Sequence, residues 1–165
     1  MKKELKKQQA APSCDWQTPA ARKRTANSSR ICRFDDFRWS GVKKERYKPE
    51  PGSWHSIARQ VLVGNRGESP LFHLRYFEIA PQGFSSYERH EHEHVVICVR
   101  GRGEVKIGKR RHAVEGLDMI YIAPNTPHQF LNTEAEPFGF FCIVNAERDR
   151  PTLIAGRTQN KKLPG

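Results

Sequence analysis

The chemistry most visible in this chain lies in Tyr87-Glu88-Arg89-His90-Glu91-His92-Glu93-His94. Three of the seven histidines fall within five residues, at a spacing of two. On a strand, successive side chains point to opposite faces, so Glu88, His90, His92 and His94 share one face. Imidazole and carboxylate gathered on one face is what a divalent transition metal takes. A second patch, Pro124-Asn125-Thr126-Pro127-His128, lies about thirty residues on and offers another imidazole. Alone, the His/Glu alternation also describes a solvated edge strand. The second patch separates the two readings.

Short strands are the elements expected to carry these residues. From Ile57 onward, β-branched and aromatic runs alternate with turn residues. The runs predict strands at about 58–64, 71–80, 85–92, 94–100, 103–108, 110–114, 118–123, 127–132 and 137–145. Turn signals fall at Gly64-Asn65, Pro81-Gln82-Gly83, Gly101-Arg102-Gly103, Gly108-Lys109, Glu115-Gly116 and Pro124-Asn125. About nine strands with little room for helices predict an all-β sandwich or barrel over residues 58–150. Val95–Val99 is apolar on both faces, so that strand is expected to be covered on both sides. One cover is the barrel interior. The other falls to residues 31–57 or to a second subunit. Residues 31–57 carry Phe34, Phe37, Trp39, Tyr47 and Trp54 among prolines and charges, the pattern of an extended N-terminal arm.

Two motifs resemble a known family. Gly83, His90, His92, His94 and the turn Arg100-Gly101-Arg102-Gly103 are similar to the first motif of the cupin superfamily. Leu117-Asp118, Pro124-Asn125-Thr126-Pro127-His128 and Asn132 are similar to the second. The resemblance spans roughly residues 57–148. It implies a cupin double-stranded β-helix, a jelly-roll barrel that holds one metal with three ligands from the first motif and one His from the second. Counting back from Gly101, the family's third ligand, usually Glu, falls on His94. Its second falls on His90 and its first on Glu88. Two sets stay open: Glu88, His90, His94 and His128, or His90, His92, His94 and His128. The second is favoured, because imidazoles are the stronger ligands for such metals. A bulge or bend between the two strands decides which side chains reach in. Asn125 stands where the family has Gly, and Asn tolerates the left-handed backbone such a turn needs.

Further stretches narrow the resemblance. Arg75-Tyr76-Phe77-Glu78-Ile79, Tyr87-Glu88-Arg89-His90, Phe141-Cys142-Ile143-Val144 and Glu147-Arg148-Asp149-Arg150-Pro151 are similar to the methylthioxylulose phosphate methylsulfurylase-like group of small bacterial cupins. That implies a manganese-type metal, with Fe, Ni or Zn as alternatives, and glutathione as methylthio acceptor. It also implies a place in a salvage route from methylthioadenosine, with deoxyxylulose phosphate as product. In such chemistry a thiolate, Cys98 or Cys142, would attack the methylthio sulfur. A free Cys in a strand is equally a small buried hydrophobe. Glu88 or Glu93 would move a proton. Arg100, on the inward parity, or Arg75 would grip the phosphate. Tyr87 and Gln129 would line the mouth. Fold alone leaves other readings open: a dioxygenase, a sugar-phosphate isomerase, or a non-catalytic small-molecule-binding cupin.

Composition bounds these expectations. At 165 residues, one domain is expected. No apolar run approaches the roughly 18 residues of a membrane helix. The N-terminal lysines are not followed by the apolar stretch of a secretory signal. Four scattered cysteines without a C-x-x-C pair read as reduced thiols in a cytoplasm. Residues 1–30 hold eight Lys/Arg against two acids, or +6 of the +11 net charge, and lack periodicity. They read as a disordered basic tail. Nothing after them resembles a DNA-reading module, so nucleic acid is not an expected partner. A small-molecule substrate and a second copy of this chain, as a homodimer, are the partners expected. Residues 151–165 read as a loose basic tail with one short helical turn.

Overall fold

The computed structural model describes residues 29–49, 52–68 and 71–154, and every regular element among them is a β-strand. Alternating Val, Ile, Phe and Tyr set this outcome, because each run offers one apolar face to bury. The strands are β1 (Phe34–Asp35), β2 (Arg38–Trp39), β3 (Lys44–Arg46), β4 (His55–Val63), β5 (Phe72–Phe84), β6 (Glu88–Arg89) and β7 (His94–Arg100). They continue with β8 (Arg102–Ile107), β9 (Arg110–Glu115), β10 (Met119–Ile122), β11 (His128–Leu131), β12 (Phe138–Asn145) and β13 (Thr152–Leu153). No helix among the described residues is long and apolar enough to cross a membrane.

Two antiparallel layers share one strand. β3, β4, β5, β12, β7 and β10 lie side by side in that order. β9, β8, β11, β6 and β13 form the other run. β5 joins the two: its Ile79 pairs with Phe138 of β12, while its Phe84 pairs with Leu131 of β11. Pro81-Gln82-Gly83, read above as a turn, is where β5 bends between layers without reversing. Gln82 takes φ 61° there, and Ser56 of β4 takes φ 47° between the pairs His55–Phe84 and Ile57–Ile79. Both strands bend together, so the ladder survives. A Cβ on Gly83 would lie 2.8 Å from the His55 carbonyl oxygen, so only glycine fits inside the bend. The result is the all-β double-stranded helix that the resemblance implies.

The interior is aromatic. Phe130 and Phe140 stack at 4.5 Å, and Phe77 and Phe138 pack on Phe140 at 5.6 and 5.3 Å. Such pairs add roughly 0.5–1.5 kcal/mol each beyond their buried area. The arm runs outside the first layer. Phe37 stacks on Tyr76, and Trp39 packs on Tyr76 and Phe141. Val95, Ile97 and Val99 on the outer side of β7 stay half-buried. Tyr47 and Trp54 turn inward, with Tyr47 5.7 Å from Phe77.

Two other expectations change. The strand expected at 85–92 is reduced to the two residues of β6. The segment after Pro151, expected to be loose, begins with β13, which pairs with β6 and occupies its free edge. The basic tail up to residue 28 and the helical turn expected near the C-terminus lie outside the described residues.

The turn between β7 and β8 supplies a test. Gly101 has φ +62°, and a Cβ there would sit 2.4 Å from the Pro137 carbonyl oxygen. Gly108 has a similar φ of +57° but opens onto space. Gly101→Ala is expected to lose about 2–3 kcal/mol of unfolding free energy, and Gly108→Ala about 1 kcal/mol. Urea unfolding reads both, and equal midpoints for the two variants would contradict the packing argument.

Candidate metal centre

Four imidazoles converge at the mouth of the barrel. His90 and His92 sit on the loop between β6 and β7, His94 opens β7, and His128 opens β11. All four are buried. His90 lies 3.8 Å from His92, 4.3 Å from His94 and 4.9 Å from His128, ring centre to ring centre. One nitrogen from each of His90, His94 and His128 falls within 4.8 Å of the others.

Strand alternation does not produce this convergence, contrary to the reading of Glu88 through His94 as one strand face. Residues 90–93 leave the ladder because their backbone groups bond elsewhere. The Asp149 carboxylate accepts the N–H groups of Glu91 and His92 at 2.8 and 3.2 Å. The Asn125 N–H donates to the His90 carbonyl at 2.7 Å. Asn125 itself takes φ 61°, the left-handed backbone that the motif requires. An acid that follows β12 and a turn from the second motif therefore shape the histidine loop.

Each ring is oriented by its Nδ1. His90 Nδ1 donates to the His92 carbonyl at 2.7 Å, and His128 Nδ1 donates to the Thr126 carbonyl at 2.9 Å. His92 Nδ1 donates to Asp149 Oδ1 at 2.6 Å, and His94 Nδ1 lies 3.7 Å from Cys142 Sγ. An Nδ1 that donates leaves Nε2 with a lone pair, the arrangement typical of metal-bound histidine. His90 Nε2 is buried with no hydrogen-bond partner, and His92 and His94 face each other through Nε2 at 3.2 Å. This contact is a hydrogen bond when one Nε2 carries the ring hydrogen, and with both rings in the Nδ1–H form the two lone pairs suit a cation between them. Cationic rings are disfavoured. Burial, then neighbouring His92 and His128, push His90 down to about 3. Burial also lowers His92, His94 and His128. The His92–Asp149 contact is therefore a hydrogen bond from a neutral ring rather than an ion pair. Neutral imidazoles with inward lone pairs fit a divalent metal.

Of the two candidates for a fourth position, neither belongs to the compact triad. Glu88 is the cross-strand partner of His128, but its carboxylate is held by Lys48 Nζ at 2.6 Å. His92 stacks on His90 beside the triad.

His94 and His128 border a small cavity of about 30 Å³. Its apolar wall is Phe77, Phe130 and Phe140, and its polar wall includes Ser85, Ser86, Glu88, Arg75 and Cys142. Arg75 donates to Cys142 Sγ at 3.3 Å and lies over the Phe77 ring. The other expected residues point elsewhere. Cys98 is fully buried in the apolar core, and burial with nearby Asp118 pushes its thiol up to about 11. Arg100 bonds Glu78 at 2.6 Å and covers Phe37, so its end-of-strand position faces the arm. The Tyr87 hydroxyl donates to the Gly108 carbonyl, and the Gln129 amide donates to the Ser85 carbonyl. Sequence reasoning gave no role to Lys48, Ser86 or Asp149. Asp149 stood in a quoted motif. Lys48, in the run Tyr47-Lys48-Pro49, carries no signal beyond its position between an aromatic and a proline.

Comparison with known proteins agrees with this geometry. Residues 75–144 match the Cupin domain family, Cupin_2. A Rhodospirillum rubrum protein named 1-methylthio-D-xylulose 5-phosphate methylsulfurylase is 42% identical over 118 residues, which is 71% of this chain and 74% of that one. A crystal structure of a cupin-2 domain from the same organism is 40% identical with a TM-score of 0.66, covering 77% of this chain and 84% of the other. A cupin 2 conserved barrel domain protein from Rhodopseudomonas palustris is 35% identical with a TM-score of 0.70, covering 77% and 87%.

The buried rings make stability depend on acid. Unfolded histidine titrates near 6.5, whereas folded His90 titrates near 3, so between these values the unfolded chain binds a proton that the folded chain lacks. Stability of the metal-free protein is thus full above about pH 6.5 and falls as pH drops. The slope is about 1.4 kcal/mol per pH unit for each such ring. Urea midpoints measured from pH 7 to pH 4 should decline, and a rising midpoint would contradict neutral burial.

Proposed function

The chain belongs to the cupin domain family, and from that premise we propose that it is a metal-dependent cupin enzyme acting on a small sugar-phosphate-like molecule. The reaction we assign is methylthio transfer from methylthioxylulose phosphate to glutathione, giving deoxyxylulose phosphate. The observation that carries it is a thiol, Cys142, held between a guanidinium and an imidazole on the wall of the cavity that His94 and His128 border. The name of the 42% identical relative supports the same chemistry.

His90, His94 and His128, with His92 beside them, would hold a divalent transition metal. A divalent ion there supplies Lewis acidity toward the substrate's carbonyl and neighbouring hydroxyl oxygens. The chain's own groups do the rest. Cys142 Sγ, as thiolate, attacks the methylthio sulfur. A Cys142–S–S–CH3 disulfide forms and the carbon–sulfur bond breaks, leaving its electron pair on the carbon beside the carbonyl. Glu88, on the cavity wall, relays to that carbon a proton from the Lys48 ammonium that it holds, and glutathione's thiol later restores it. Glutathione thiolate then attacks the methylthio sulfur, frees Cys142 and leaves as the methyl disulfide. The proton is supplied overall by glutathione's thiol, so one thiol and one thioether give one disulfide and one C–H bond. Arg75 supports charge on the sulfur and can grip a substrate oxygen. Arg100, Tyr87 and Gln129, turned away from the cavity, have no substrate contact in this reading.

A thiol mechanism belongs in a reducing compartment, and we assign the cytoplasm. Among the described residues, Cys32, Cys98 and Cys142 are thiols rather than disulfides, which supports it. We also assign a homodimer. Leu117, Met119 and Tyr121 are 85%, 71% and 59% exposed on and beside β10, which has one lateral neighbour in the sheet, and a second copy would cover them.

Three variants test the reaction. Cys142→Ala should lose at least about a thousandfold in turnover while keeping its metal. Cys98→Ala should stay within several-fold of the parent. His128→Ala should lose the metal, read by elemental analysis of the purified protein. Full turnover in Cys142→Ala would sink the thiol mechanism. For the dimer, Met119→Glu combined with Tyr121→Glu should sediment as a monomer. A parent protein that is already monomeric would remove the assignment.

A further inference from the structure

Lys48 is an arm residue, yet it ends inside the barrel. Its Nζ donates to Glu88 Oε2 at 2.6 Å and to Ser86 Oγ at 2.8 Å, and Ser86 Oγ also meets Ser53 Oγ at 2.8 Å. Lys48 and Glu88 are 5% and 4% exposed. A buried ion pair loses much of its Coulomb gain to desolvation, and two apolar side chains would close the same wall at least as well. Stability alone therefore does not account for it.

The location does. Glu88 and His128 are direct cross-strand partners between β6 and β11, so their side chains stand next to each other on one face. Glu88 is also two residues before His90, and both Glu88 and His128 line the cavity. A carboxylate so placed, if free, is within a rotamer change of the imidazole nest. It is not free, because the arm delivers an ammonium to it.

We propose that Lys48 sets the ligand set of the centre: by holding the Glu88 carboxylate, it keeps an oxyanion out and leaves the centre all-imidazole. This rests on the reading that His90, His94 and His128 hold a divalent metal. Neutral ligands leave the full double charge on the ion, which sharpens its pull on substrate oxygens. A carboxylate ligand would cancel part of that charge and shift preference toward hard, oxygen-loving ions such as manganese. The arm thus fixes both the acidity of the centre and its choice of metal, without touching the ion.

Metal titration tests this without any turnover assay, using Mn²⁺ and Co²⁺ alone on the purified full chain. In Lys48→Met, Glu88 is released. Mn²⁺ should bind at least about tenfold more tightly than in the parent, and the visible bands of the Co²⁺ form should move. Lys48→Met combined with Glu88→Gln should return both readouts to parent values. Glu88→Gln alone should match the parent within about twofold, and this arm holds the test if Lys48→Met does not fold. A large loss of affinity in Glu88→Gln would overturn the proposal, since Glu88 would already be a ligand. Parent-like affinity and spectrum in a folded Lys48→Met would overturn it as well. If the parent binds neither ion, the metal reading falls and takes this proposal with it. That outcome is distinct from the other two.

Discussion

Four imidazoles lie packed together, almost shut off from water, and each must find a partner for its Nδ1. Two find backbone carbonyls on residues two away in sequence, one finds Asp149, and one leans on the sulfur of Cys142. The carbonyl and carboxylate acceptors settle the tautomers of His90, His92 and His128, and the tautomers settle where their lone pairs go. Much of the barrel serves this arrangement. β7 and β11 deliver His94 and His128, and the loop carrying His90 and His92 is shaped by partners from outside it. Desolvation keeps the rings uncharged, which turns a crowded group of potential cations into a cooperative set of donors.

Much of the fold could be read in advance, and the reason is periodicity. Strands with one buried face announce themselves at period two, and most of those expected from β4 to β12 form close to where they were placed. The failures share a cause as well. Pro81-Gln82-Gly83 carries the composition of a turn, but a bend shared with a neighbouring strand uses the same residues, and only pairing distinguishes them. His90 and His92 were assigned by strand parity to a face they reach through a loop. The fold still brings both rings beside His94, through a loop rather than along a strand face.

Long-range partners explain the rest. Nothing local to Glu88 reveals that a lysine forty positions earlier holds its carboxylate. Arg100 and Arg75 looked alike as candidate anion grips, and strand parity favoured Arg100. The fold reverses that order, because Arg100 meets Glu78 and the ring of Phe37, while Arg75 lines the cavity beside Cys142. The two cysteines separate in the same way: both are buried in the core, but Cys142 also lines the cavity and Cys98 does not.

Asp149 stands near the end of the described chain, yet it braces a loop nearly sixty residues earlier, and β13 beyond it closes the edge of β6. A chain synthesised from its N-terminus exposes the histidine loop long before either support exists. Until residues 149–153 emerge, Glu91 and His92 lack the acceptor that holds them out of the ladder, and β6 has an open side. Ring placement is therefore among the last events of folding. A ribosome-bound chain stopped short of Asp149 would carry most of its barrel strands and still have an unbraced histidine loop.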